Sequence, residues 1–233
     1  FVAWCWHAGT STVSNTDGSI TSSVRASATS GFSIVSYTGN GSSSATVGHL
    51  LGVAPEMVII KGRETTNGWS VYHKSLTSNY DDQLNSTSAQ FANSATSGGG
   101  TGTPTSSVLT FDSGTSNVDN VNKSSNDFIA YCFAPVAGFS SFGSYEGNGS
   151  SDGSFVHTGF RPALVLTKCS SDGGNWQIID TTRSPYNLAD EKLWPSQSYE
   201  ENSSTLGGAS ADNIDILSNG FKMRTNNNVT NGS

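Results

Sequence analysis

Charge is scarce in these 233 residues, at 12% Asp, Glu, Lys and Arg, and the balance leans acidic, with a net charge of −7. Such a surface repels a phosphate backbone, and no cluster of Lys or Arg offsets it, so nucleic acid is not expected as a partner. Apolar runs are short as well. None approaches the roughly 18 residues that a membrane-spanning helix needs, and no basic stretch followed by an apolar one marks a secretory signal, so membrane insertion is not expected. Three cysteines, Cys5, Cys132 and Cys169, are too few and too odd in number for a disulfide framework, and none forms a Cys-x-x-Cys pair. They read as reduced, buried thiols. Helical patterns are nearly absent: only NLADEKLWP, residues 187–195, carries one, with Asn187 as N-cap and Pro195 as stop.

Ser, Thr, Asn and Gly fill the chain instead, the composition of strands and turns rather than of packed helices. Within it the sequence repeats. GFSIVSYTGNGSS from Gly31 returns as GFSSFGSYEGNGSS from Gly138, pairing Tyr37, Gly39, Asn40 and Gly41 with Tyr145, Gly147, Asn148 and Gly149. Further along, Pro55, Lys61 and Trp69 recur as Pro162, Lys168 and Trp176, a constant shift of 107 residues (162 − 55, 168 − 61, 176 − 69). The opening FVAWCWHAG matches FIAYCFAPVAG at Phe128 to Gly138, aligning Ala3 with Ala130, Trp4 with Tyr131 and Cys5 with Cys132. Low complexity explains matching glycines but not matching tryptophans at one offset.

The repeat divides the chain into three expected segments: 1–30, the last strand of a preceding unit plus a hairpin linker at Asp17-Gly18; 31–137, a complete unit; and 138–233, a second unit lacking its final strand. Alternation and short apolar runs predict strands at 1–8, 32–38, 56–63, 69–75, 107–112, 128–133, 139–146, 154–158, 163–169, 175–181 and 214–224. FIAYCF places Phe128, Ala130 and Cys132 opposite Ile129, Tyr131 and Phe133, the pattern of a central strand covered on both faces. SGGGTGTPTSS at 97–107 reads as a surface loop. The fold class is all-β: tandem β-sandwich, jelly-roll-like repeats of about 107 residues with few or no helices.

Chemistry is harder to find. HExxH and Walker-type motifs are missing, the GxSxG string GSSDG at 149–153 lies in a Gly- and Ser-rich turn with no helical pattern after it and so is no nucleophile elbow, and His7, His49, His73 and His157 are scattered, with His73 falling opposite Asp180 in the repeat. Acid pairs that could serve a glycosidase, Asp81-Asp82, Asp190-Glu191 and Glu200-Glu201, lie in polar stretches and do not recur between the repeats. No catalytic or metal-ligating residue is assigned, and no cofactor is expected. Calcium is the ion the loops suggest, through Asp-Gly steps at 17, 152 and 172, although Asp-Gly is first of all a turn dipeptide. Seven Asn-x-Ser/Thr triplets, at Asn40, Asn85, Asn122, Asn148, Asn202, Asn228 and Asn231, follow from composition. The ligand-binding candidates are Tyr37, Asn40, Trp69, Tyr145, Asn148 and Trp176, because aromatic faces and turn amides suit sugars; for the tryptophans a core role competes with stacking on a sugar.

VSNTDGSITSSV, GFSIVSYTGNG, APEMVIIKGR, GWSVYH, FIAYCFAPVAG, FGSYEGNGS, TGFRPALVLTK, NWQIID and LSNGFKMRT together resemble a tandem β-repeat domain of tail-fibre and other virion structural proteins of marine tailed bacteriophages. The resemblance spans nearly the whole chain. It implies a non-enzymatic virion module, assembled in the host cytoplasm, that contacts other virion proteins, forms a homo-oligomer such as a trimer, and acts as spacer and adhesin for a bacterial surface glycan. A polysaccharide depolymerase and a capsid decoration protein are the alternatives.

Overall fold

A computed structural model describes residues 2–93, 100–111, 118–201 and 213–232. Phe1, residues 97–99 of the Gly-rich loop, Asp112 and Asn202, all invoked above, lie outside that set. The chain divides into two compact units, one of Phe1–Leu84 with Gln90–Phe142 and one of Asn85–Ala89 with Gly143–Ser233. Both are built from antiparallel strands, so the fold is all-β.

In chain order the first unit carries β1 (Val13–Asn15), β2 (Ser22–Ser27), β3 (Phe32–Thr38), β4 (Thr46–Gly48), β5 (Met57–Gly62), β6 (Ser70–His73), β7 (Tyr80–Gln83), β8 (Phe91–Ala92), β9 (Val108–Thr110), the one-turn helix α1 (Asp119–Asn122) and β10 (Asp127–Phe133). Eight of these strands form a single sheet in the order β1-β2-β3-β10-β5-β6-β7-β8, while β4 and β9 make a separate ribbon. Strand β10 sits between β3 and β5, as its sequence predicts: Phe128, Ala130 and Cys132 are fully buried, and Ile129, Tyr131 and Phe133 are half-buried on the other face. The core packs Val24, Val35, Tyr37, Val58, Ile60 and Phe128 from the sheet together with Val47, Leu51, Leu109, Phe111, Val118 and Val121 from the ribbon, α1 and the residues beside them. That two-layer burial is the main stabilising term, worth about 1.5–3 kcal/mol for each large side chain removed from water.

The second unit contains β11 (Phe155–His157), β12 (Leu164–Thr167), β13 (Gln177–Asp180), β14 (Lys192–Leu193), β15 (Ile214–Leu217), β16 (Gly220–Met223) and the one-turn helix α2 (Asn228–Asn231). Its strands form two three-stranded sheets, β12-β13-β14 and β11-β16-β15, around Val165, Ile179, Ala189, Ile214, Ile216, Phe221 and Met223. The register of β12 on β13 reproduces that of β5 on β6: Met57 faces His73 and Leu164 faces Asp180, while Ile60 faces Ser70 and Thr167 faces Gln177. Each residue is displaced by the 107 positions read from the sequence.

Several expectations are corrected. Residues 2–9 form no strand, and β1 and β2 pair into the first unit's own sheet through β3. The turn at Asp17-Gly18 is part of a longer connection between Asn15 and Ser22, and Gly18 is required by crowding, since a Cβ there would overlap the Thr46 carbonyl. Residues 139–146 lie outside any strand, and 214–224 folds as the hairpin of β15 and β16. The helix expected at 187–195 is replaced by a bridge from Ala189 to Ile214 and by β14 on β13, because strand pairing to distant residues overrides a short local preference. Of the cysteines, all free, only Cys132 is buried, its thiol pushed up to about 12 by desolvation; Cys5 is exposed and Cys169 half-buried. Among the described residues no helix is long and apolar enough to cross a membrane.

Candidate functional site

Four of the six predicted binding residues turn out to build a latch that occurs once in each unit. The Tyr37 ring lies between Phe111 and Phe128, both at 5.5 Å, with its hydroxyl donating to the Val121 carbonyl at 2.5 Å. Burial raises that phenol well above its ordinary pKa. The backbone N–H of Asn40 donates to Asn122 Oδ1 at 3.1 Å, and Asn122 Nδ2 returns bonds to Asn40 Oδ1 at 3.0 Å and to the Ser42 carbonyl at 2.8 Å. In the second unit Tyr145 donates to the Thr230 carbonyl at 2.6 Å, Asn148 N–H to Asn231 Oδ1 at 3.2 Å, and Asn231 Nδ2 to Asn148 Oδ1 at 2.9 Å and Ser150 O at 2.7 Å.

The repeated Gly-Asn-Gly follows from this geometry. A Cβ on Gly39 or Gly147 would overlap the carbonyl oxygen of Lys123 or Gly232, whereas Gly41 and Gly149 adopt φ of +76° and +65°, the left-handed region that glycine enters without strain. Tyr37 is therefore removed from the ligand-facing set, and the side-chain oxygens of Asn40 and Asn148 are committed to holding α1 and α2. The partners that sequence reasoning missed, Asn122 and Asn231, are both fully buried. Their signal was present, since each is the Asn of an Asn-x-Ser triplet, but their burial rules out a glycosylation reading.

The two tryptophans part company. Trp176 is 6% exposed and belongs to the interior. Trp69 is half-buried and stacks over Tyr131, 6.5 Å between centroids and 19° between planes, on the sheet face opposite the core. The loop that leads to it is held by Lys61, whose ammonium donates to the carbonyls of Thr65 at 2.9 Å and Asn67 at 2.8 Å.

That outer face is the candidate site. Because side chains alternate across a strand, register alone defines its rows. Ser14 faces Ser23, Ser23 faces Ser36, Ser36 faces Ile129, and Ile129 faces Lys61. Adjacent to this row Arg25 faces Ile34, Ile34 faces Tyr131, and Tyr131 faces Ile59. A shallow depression of about 470 Å³ opens over the hydroxyl row, lined by Thr12, Ser14, Thr21, Ser23, Ser36, Thr38 and Asp127 among others. Neighbouring hydroxyls along the row step by about 4.8 Å, the spacing between strands. In the next row along the strands Thr38 faces Asp127, Thr38 Oγ1 donating to Asp127 Oδ1 at 2.7 Å and the Asp127 N–H to Glu64 Oε2 at 2.8 Å. Hydroxyls that both donate and accept, a carboxylate acceptor and a neighbouring aromatic stack can bind a polyhydroxylated ligand.

The other polar groups have structural work. His49 is fully buried, Nε2 against the Thr105 carbonyl at 3.1 Å, and burial lowers its pKa. His73 is lowered for the same reason and accepts from Ser75 N–H. Asp81 and Asp82 are 0% and 2% exposed, and Asp81 Oδ2 accepts the N–H groups of Gly100 at 3.1 Å and Thr101 at 3.2 Å. The N–H groups of Asp190 and Glu191 bond Ser184, and Arg183 binds both Asp180 and Glu201. The Asp-Gly acids suggested for calcium are also engaged: Asp17 accepts from Asn15, Asp152 pairs with Lys222 and Arg224, and Asp172 accepts from Gly173. Among the described residues no group of three His, Cys, Asp or Glu could hold a metal ion.

Fold and face together define an all-β module with an open polar surface on one sheet face. The chain belongs to the family described as Domain of unknown function (DUF7483), whose model matches residues 1–233. No curated protein and no solved structure matches it.

Proposed function

We propose that the chain is a non-enzymatic module of a phage virion, part of a tail fibre or similar appendage, whose outer sheet face binds a bacterial surface glycan. The observation that carries the reading is the row Ser14, Ser23, Ser36 with Thr38 and Asp127, on the same sheet face as Tyr131, over which Trp69 stacks. A pyranose offers hydroxyls at its rim and an apolar ring face, and those two surfaces match a hydroxyl row and an aromatic stack. The depression is shallow, so a single site binds weakly, and useful affinity comes from several copies on one particle, whether in a homotrimer or along a fibre. A net charge of −7 favours neutral over acidic glycans. The virion location, and packing against other virion proteins, rest on the sequence resemblance.

Purified chain would be applied to an array of neutral bacterial surface oligosaccharides and to intact host cells. Binding that falls at least tenfold in Trp69→Ala and in Ser36→Glu, with both variants still folded at the assay temperature, supports the reading. Absence of binding, or binding that ignores both substitutions, refutes it. Release of reducing ends from the bound glycan, abolished by Asp127→Asn, would instead establish a polysaccharide-cleaving activity.

A further inference from the structure

The two units treat the same strand edge differently. In the first, β5 is paired on one side by β6 and on the other by β10, over Met57 to Gly62. In the second, β12 keeps the β6-type partner, β13, in the same register, yet among the described residues no strand pairs its other edge. Side chains record the difference: Val58 and Ile60 are fully buried, while their counterparts Val165 and Thr167 are 7% exposed and half-buried.

The chain also carries a segment similar in sequence to β10 that is in no strand. Val2, Ala3, Trp4, Cys5 and Trp6 match Ile129, Ala130, Tyr131, Cys132 and Phe133. Ala130 and Cys132 are fully buried, but Ala3 and Cys5 are exposed, with Val2 at 46% and Trp6 at 48%. We propose that the unpaired edge of β12 is a docking site for a β-strand and that its occupant is the segment Val2–Ala8 of a second copy of the chain.

Transferring the β10 register by 107 residues sets Cys5 opposite Val165, Trp6 opposite Leu164, Trp4 opposite Leu166 and Ala3 opposite Thr167. Main-chain hydrogen bonds supply the attraction, as in strand addition generally, and alternation of small and aromatic side chains fixes which way the strand faces. Docking draws Trp6 from its contacts with Phe32 and Phe133, at 6.3 and 5.9 Å, and exchanges them for Leu164. Donor and acceptor are different surfaces, so the contact is heterologous, and copies add head to tail into closed rings or open chains.

The test introduces a thiol at the acceptor. Val165→Cys is combined with Cys169→Ser, leaving Cys5 as the exposed partner, and the chain is oxidised at increasing concentration. Disulfide-linked species at multiples of 24.3 kDa on non-reducing gels, lost when Ala3→Pro is added, are expected. Residue 3 is exposed and outside any strand, so proline leaves the fold intact while disrupting the ladder, and circular dichroism checks this. A chain that remains monomeric on oxidation, or cross-links that survive Ala3→Pro, overturns the proposal. Binding of a synthetic peptide of residues 128–136 without any cross-linking assigns the edge to a different strand and overturns it equally.

Discussion

Replacing Asn122 by alanine removes three hydrogen bonds at one buried point: acceptance from Asn40 N–H at 3.1 Å, and donation to Asn40 Oδ1 at 3.0 Å and to the Ser42 carbonyl at 2.8 Å. Each is worth about 1 kcal/mol net, and partners stranded away from water add to the cost, so a loss of about 3–4 kcal/mol is expected. Near the midpoint, for a chain of this size, that lowers Tm by about 6–16 °C. Asn122→Asp should cost more, because it turns the Nδ2 donor into an acceptor facing two other acceptors and buries a charge. Urea unfolding of wild type, both variants, Asn40→Ala and the Asn40→Ala/Asn122→Ala pair would measure this. The double-mutant cycle should show coupling of about 1 kcal/mol or more, since each residue's loss already strands the other. A loss under about 1 kcal/mol for Asn122→Ala, with aspartate tolerated equally, would refute the latch, leaving the Gly-Asn-Gly repeat without its structural reason.

Burial holds Asp81 at about 7 against an ordinary 3.8. The folded state therefore takes up the proton more readily; its stabilising contribution is complete below about pH 4 and is lost as pH rises toward 7. Asp81→Asn should flatten the pH dependence of Tm across that window and melt above wild type at pH 8; an unchanged profile would show that Asp81 does not govern it. Trp176→Ala should destabilise by about 3–5 kcal/mol by calorimetry, as for any large core truncation, and Trp69→Ala by less. Gly39→Ala and Gly147→Ala should each cost about 1–3 kcal/mol through overlap with a carbonyl, while Gly138→Ala, strained only by its φ, should cost less in the same urea assay.

Much of the core was legible because its signals are local. Alternation in FIAYCF marks β10, and the 107-residue shift carries over into the register of β12 on β13. The candidate site was only partly legible. Trp69 was named, but Tyr131 beneath it comes from a strand far along the chain, and the hydroxyl row takes its members from β1, β2 and β3, in a composition where serine occurs everywhere. Tyr37 and Asn40 repeat visibly, yet their role depends on Asn122, 82 residues from Asn40.

Composition and periodicity by themselves determined the all-β class: short alternating runs for strands, hardly any helical pattern, and glycines where the backbone turns or crowds. Only tertiary structure decided which face of a strand is core, which of two equivalent tryptophans meets solvent, and whether a strand-like sequence becomes a strand. Phe32 to Thr38 is a strand because β10 and β2 complete its hydrogen bonds; Phe139 to Glu146, with nearly the same residues, is not one. A helix satisfies its hydrogen bonds within its own segment, but a strand depends on partners elsewhere, and in an all-β chain that dependence is general.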